Sequence, residues 1–190
     1  KVAIIGLHAQ TGPSRSGVSA ALGSSALAQQ LLFGTSLQTV SAAAEMDVPL
    51  NRFRIPPREL EEMLPQQVLA LETALRAWED ARLDQEPRPD AGVYFGVALD
   101  LNTTNYHLRW MALEQAGRQY GQDAEEFGPP LTPNRVMGGL ASVAASRIAR
   151  ELRCGGPSFV LASEERSGLN ALQAAVQALQ AQEVNVALVG

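Results

Sequence analysis

The chain has 190 residues, 46% of them hydrophobic and 18% charged, which is enough apolar content for one substantial core and too little charge for a disordered polymer. A formal net charge of -5 leaves no basic footprint for nucleic acid or an anionic membrane surface. One cysteine and two distant histidines exclude an internal disulfide and a spaced metal-ligand set, and the lone thiol suits a reducing, cytoplasmic setting.

No apolar run reaches the roughly 20 residues of a membrane span, and no leader pattern opens the chain. Residues 2–5, "VAII", form a short β-branched run ending at Gly6, which predicts a buried central strand. Residue 1 is Lys, and the strand-like "VNVALVG" closes the chain. Both ends read as cuts through core strands, so the chain is expected to be a slice of a longer protein. The next stretch, to about residue 50, is rich in Ser, Ala and Gly. Within it "HAQTGPSRSG" reads as a loop and "SALAQQLLFG" (25–34) as a helix closing on glycine.

Residues 55–83 are the clearest helical text: Pro57 suits a first turn and Pro65 starts a second helix. Leu69, Leu71, Leu75 and Trp78 recur near the helical period. "GVYFGVAL" (92–99) reads as a strand, 106–120 as a helix and "FGPPLTP" as a loop. A small-residue helix is expected at 134–152, buried because Gly138, Gly139, Ala141, Ala144, Ala145 and Ser146 permit close approach. "SFVLA" is the next strand, 167–182 a helix and 184–189 the last strand. Strands alternating with helices predict an α/β domain with a mostly parallel sheet, one domain over 1–190 with no internal repeat.

The stretch "SFVLASEERSG" (158–168) carries the chemical question. A strand breaks into a helix there, with Ser163 placed to cap it and Glu164 and Glu165 in its first turn. A helix start offers free N–H groups to an anion or a nucleophile. First-turn acids also complement ordinary helix dipoles, and spacing alone leaves both accounts open. "RELEE" (58–62) reads as a solvated helix face, and Gly138 and Gly139 lack a phosphate-loop context. His8 and His107 have no partner acid or metal set and read as structural or surface residues.

In order, "VAIIG", "FRIPPRELEEMLPQQVLALETALRAWEDA", "GVYFGVAL", "TPNRVMGGLASVAASRIARELRCGGPSFVLASEERSGLNALQAAVQALQ" and "VNVALVG" resemble the N-terminal half of a β-ketoacyl synthase. The most specific parts are the "PQQ" helix followed by "WEDA", the "GPS" strand and the "ALxxAxxAL" helix. The resemblance spans nearly the whole chain and implies a thiolase-like α-β-α layered fold. In that family the strand after "GPS" leads to "TACSSS", whose cysteine accepts the acyl chain. The seventh residue after Ser158 falls there, and it is Glu165. A carboxylate is a far weaker acyl acceptor than a thiolate, and its product would be a labile mixed anhydride. Cys154, in the loop before the strand, cannot stand in and reads as a half-buried thiol. The histidines and lysine that complete the family's site belong to the C-terminal half.

"SEERSG" and "GVALDLNTTNYHLRW" look like the ketosynthase-like domains of polyunsaturated-fatty-acid-type and glycolipid synthases. Such domains act as a chain-length factor beside an active ketosynthase, or stand attached to an acyltransferase. The resemblance therefore implies a non-condensing domain with no catalytic residue and no cofactor or metal of its own. It would serve chains carried on the phosphopantetheine of an acyl carrier protein, and pair with an active ketosynthase or a second copy. Leu131, Thr132, Asn134 and Met137 are its tunnel or interface candidates, with Met137 equally readable as core filler. Glu165 would ion-pair with a base from the partner or the C-terminal half, or accept backbone N–H bonds, and so stiffen the interface. Two alternatives stand beside this: a malonyl-carrier decarboxylase, and a structural dock for an acyltransferase domain.

Overall fold

The computed structural model describes residues 2–7, 49, 51–84, 86–98, 111, 115 and 132–190. Two prolines set the first helices among the described residues. Pro57 opens α1 (Pro57–Glu61) and Pro65 opens α2 (Pro65–Asp80), each in a first turn where a missing N–H costs nothing. One face of α2 buries Val68, Leu71, Ala74, Leu75 and Trp78. Trp78 is 2% exposed, and its indole Nε1–H donates to the Asp84 carbonyl at 3.0 Å, so its one polar atom is satisfied inside the core.

The sheet contains β1 (Ala91–Gly96), β2 (Ser158–Leu161) and β3 (Val186–Val189), in the order β2-β1-β3, with both pairings parallel. Val93 lies beside Ser158 and Ala91 beside Val186. Side chains alternate across the central strand. Ala91 and Val93 join a core with Phe53, Leu60, the buried face of α2 and Ile148. Tyr94 points to the other side, against Ala171, Ala175 and Ala178 of α5 (Ser167–Gln180). Helices thus cover both faces of β1, giving the α-β-α layering expected. The alanines recur every three or four residues, and their small volume lets α5 lie close on the sheet.

Two expectations are corrected. Residues 2–7 are not a strand: Val2, Ile4, Ile5 and Leu7 are exposed. The segment instead lies against the end of α2, where a Cβ on Gly6 would meet the Ala77 carbonyl at 2.5 Å. The Leu7 N–H donates to Asp80 Oδ2 at 2.8 Å rather than to a ladder. A four-residue apolar run predicts burial, and here the run lies along an apolar groove beside α2 with its large side chains still exposed. Second, the small-residue helix is two helices, α3 (Pro133–Gly139) and α4 (Ala141–Glu151), broken at an extended Leu140 with φ -82° and ψ 110°. Carbonyls at the break accept hydrogen bonds from outside the helix, as described below. Gly138, Gly139, Ala144 and Ala145 are buried as expected, whereas Ser146 is exposed.

Among the described residues, three helices end on a left-handed residue that is not glycine. After α2, α4 and α5 the chain turns through Arg82 (φ 55°), Arg153 (φ 55°) and Gln182 (φ 59°). In each case two backbone bonds close the end, as in Leu83 N–H to Trp78 O at 3.2 Å and Cys154 N–H to Ala149 O at 2.8 Å, the Schellman pattern. Met111 and Gln115 are helical, within the helix expected at 106–120. The rest of that helix, the expected loop after Gly6, the helix at 25–34, His8 and His107 lie outside the described residues. No helix among the described residues is long and apolar enough to cross a membrane.

Candidate functional site

The strand-to-helix turn forms at the end of β2. Ser163, at φ -146° and ψ 39°, does not cap: its side chain makes no capping bond. Glu164 takes a left-handed φ of 51°, and residues Glu164–Arg166 form one 3-10 turn that leads into α5. The capping work falls to Ser167, 4% exposed. Its Oγ accepts the Ser163 N–H at 2.9 Å. Its single proton lies within reach of the Glu164 carbonyl at 2.7 Å and the Val97 carbonyl at 2.9 Å. The hydroxyl therefore ties the turn both to itself and to the end of β1. Gly96 lies against the other side, where a side chain would run into the Ser167–Gly168 peptide. A tight turn held on a rigid strand end presents residue 165 outward, and Glu165 is exposed. Among the described residues Glu165 has no ion-pair partner. Arg166, its neighbour, is exposed as well.

The segment proposed to line a tunnel has a separate anchorage. Thr132 caps α3, accepting the Arg135 N–H at 3.2 Å, and its hydroxyl donates to Glu62 Oε2 at 2.7 Å. That bond, with help from Arg58, holds the Glu62 carboxyl below its ordinary range despite some desolvation. Asn134 is half-buried, and Met137 is 45% exposed, which places its side chain at the surface rather than in a core. Leu131 lies outside the described residues.

"RELEE" is not a solvated face, which corrects the sequence reading. Glu62 is bound to Thr132, and Glu59 meets Arg147 at 2.9 Å, with Arg147 buried and its Nη1 without a partner. Burial lowers the Arg147 pKa, with Glu59 opposing. Only Glu61 of the three acids is left exposed. The partners come from residues 132 and 147, beyond the reach of a local charge pattern.

The sequence does not single out two residues that brace these segments. Ser167 looks like any helix-start serine, and Gln67 like a surface glutamine in "PQQ". A signal existed for Gln67, because it lies one turn before Leu71 on the apolar face of α2. Cys154 is half-buried, as expected, and burial pushes its thiol up to about 11, against a smaller lowering by Arg88. An apolar groove of about 670 Å³ opens between α2, α5 and β3, the edge strand among the described residues, walled by residues such as Ile5, Leu69, Leu172 and Leu188.

The layering, the parallel sheet and the turn after β2 define a thiolase-like α/β domain. It superposes with a TM-score of 0.69 on ketosynthase twelve of the bacillaene polyketide synthase of Bacillus amyloliquefaciens, over 98% of this chain and 32% of that one at 20% identity. With the ketosynthase from module 6 of the bacillaene synthase of Bacillus subtilis 168 the TM-score is 0.51, over 72% and 20% of the two chains at 27% identity. The sequence model described as β-ketoacyl synthase, N-terminal domain, matches residues 33–190. The chain belongs to the β-ketoacyl synthase family.

Among its relatives, polyketide synthase GfsE of Streptomyces halstedii is 32% identical over 138 residues, 73% of this chain and 3% of that protein. Pikromycin polyketide synthase component PikAII of Streptomyces venezuelae is 34% identical over 148 residues, 78% of this chain and 4% of that protein. The chain spans less than a tenth of the length of these curated relatives.

Proposed function

We propose that this domain is a non-condensing, chain-length-factor type of ketosynthase component in a polyketide or polyunsaturated-fatty-acid synthase. It shapes the acyl tunnel of a partner ketosynthase while chains ride on the phosphopantetheine of an acyl carrier protein. The observation that carries the reading is that residue 165, where the family resemblance sets the acyl-accepting cysteine, is a glutamate and is exposed on the turn. A thiolate attacks a thioester and forms another thioester of similar energy. A carboxylate would have to form an anhydride, which water cleaves, so no stable acyl-enzyme is expected. The carboxylate would also repel an enolate developing at the turn, which weighs against malonyl decarboxylation. Family membership supports the setting in a multidomain synthase, and the exposed Met137 supports a surface role for the segment after Thr132.

The test is acyl loading of the complete protein. Incubated with acyl-carrier thioesters, the wild type is expected to show no adduct by intact-mass spectrometry. Glu165→Cys is expected to gain one acyl group, because the turn that presents residue 165 is unchanged. An acyl adduct on Glu165 itself, or malonyl-carrier decarboxylation by the wild type, would overturn the proposal.

A further inference from the structure

Gln67 is a buried polar residue at the α3–α4 break. Its side chain is 3% exposed, and its Nε2 donates to two carbonyls, Met137 O at 3.2 Å and Leu140 O at 2.8 Å. These flank Gly138 and Gly139, where α3 gives way to α4. The Leu64 N–H, at the start of α2, donates to the Gly138 carbonyl between them at 3.2 Å. Gly138 itself permits the approach: a Cβ there would lie 2.8 Å from Met63 Cα and 2.9 Å from the Glu62 carbonyl. At the other end of α3 the Thr132 hydroxyl is bonded to Glu62. The short helix carrying Asn134 and Met137 is thus clamped at both ends to one turn, the junction of α1 and α2.

The amide is an odd choice for a merely structural brace. Its orientation is fixed by the two carbonyls, since turning it over would set its oxygen against theirs. In that orientation Oε1 is buried without a hydrogen-bond partner. The desolvation of that oxygen offsets much of what the two donated bonds supply. Gln67 therefore contributes little net stability and a great deal of geometry. It sets where the α3–α4 break sits, and with it the exposed side chain of Met137.

The geometry points to Gln67 as a positioning residue for chain-length selection, acting through the α3–α4 break on Met137. The inference rests on the tunnel-shaping role proposed above. Gln67→Met keeps the volume and the apolar fit of the stem and removes both the clamp and the orphaned oxygen.

The experiment uses the complete synthase with malonyl-carrier extension, reading the product chain lengths by mass spectrometry and the melting temperature of each variant. Met137→Trp, which narrows the surface directly, is expected to shift the products toward shorter chains. Gln67→Met is expected to change the ratio of products one extension unit apart by at least about three-fold, a small part of what a hydrophobic pocket can discriminate, with the melting temperature held. Gln67→Asn, which withdraws the amide by one methylene, is expected to move the ratio the same way.

If Met137→Trp changes the ratio and neither Gln67 variant does, the inference is wrong and the tunnel-shaping role stands. If none of the three changes it, the tunnel-shaping role fails and takes the inference with it. A shift that appears in Gln67→Met only together with a lowered melting temperature marks a structural brace and overturns the positioning role.

Discussion

Removing the Ser167 hydroxyl tests whether the turn after β2 is held by one side chain. In Ser167→Ala the Ser163 N–H loses its acceptor at 2.9 Å, and the carbonyls of Glu164 and Val97, at 2.7 and 2.9 Å, lose the proton they share. One hydroxyl accepts one bond and donates one, each with a net contribution of about 1 kcal/mol. A further ~1 kcal/mol follows from leaving the carbonyl of the buried Val97 without its donor. The sum of about 3 kcal/mol falls on local opening of residues 163–167 rather than on global unfolding, because α5 keeps its alanine face on the sheet. Hydrogen exchange with mass spectrometric readout on the complete protein measures it. The Ser163 amide should exchange roughly a hundred-fold faster, with amides around Ala175 unchanged. A Ser163 rate within about three-fold of wild type would show that Ser167 does not hold the turn. Equal acceleration at Ala175 would show that the loss is global.

Two further outcomes are expected. Cys154, with its thiol pushed up to about 11 by burial, should react with iodoacetamide at pH 8 roughly two orders of magnitude more slowly than a free thiol, and its rate should climb toward pH 11. The raised value means that the folded state holds the proton more tightly. The stability this contributes is complete below the ordinary thiol range and is lost as pH rises toward about 11, which urea titrations across that range would follow. Glycine at Arg82, Arg153 or Gln182 should relieve a left-handed backbone at an exposed helix end. Each change is expected to stabilise the fold by ~0.5 kcal/mol after the entropy of the unfolded glycine is counted, seen as a raised urea midpoint.

How far the sequence could be read depended on whether the deciding partner lay nearby. Pro57 and Pro65 act through the residue's own ring, and both helix starts are legible in the sequence. The alternation of Ala91 and Val93 against Tyr94 follows from the strand period, so the layering was readable too. Helix ends were not, because Arg82, Arg153 and Gln182 take the left-handed position that glycine usually marks. The helix expected to reach 182 stops at Gln180 for that reason. The break at Leu140 was hidden because its causes, Gln67 and Leu64, lie over seventy residues earlier. Glu59 and Glu62 read as solvated for the same reason, since Arg147 and Thr132 are visible only once the chain is folded. At the candidate site, the position of Glu165 came from family resemblance. Ser167, which holds that position in space, came only from the structure.

That division bears on what the turn can prove about chemistry. Glu164 sits at φ 51°, a conformation costing a non-glycine residue about 1–2 kcal/mol, and such strain at a strand end invites a catalytic explanation. Yet the same turn sets the start of α5, and Gly96 packs directly on its Ser167–Gly168 peptide. Relaxing Glu164 would move that peptide away from β1 and pull Ser167 from the Val97 carbonyl. Packing alone is therefore sufficient to retain the strained turn, whether or not it presents a nucleophile. In the non-condensing role proposed above, the turn itself is kept, and the difference from a condensing domain rests on the atom at the tip of residue 165. On that proposal an oxygen there leaves the turn as part of a surface, and Glu165→Cys asks whether a sulfur in its place is enough to support covalent acyl loading.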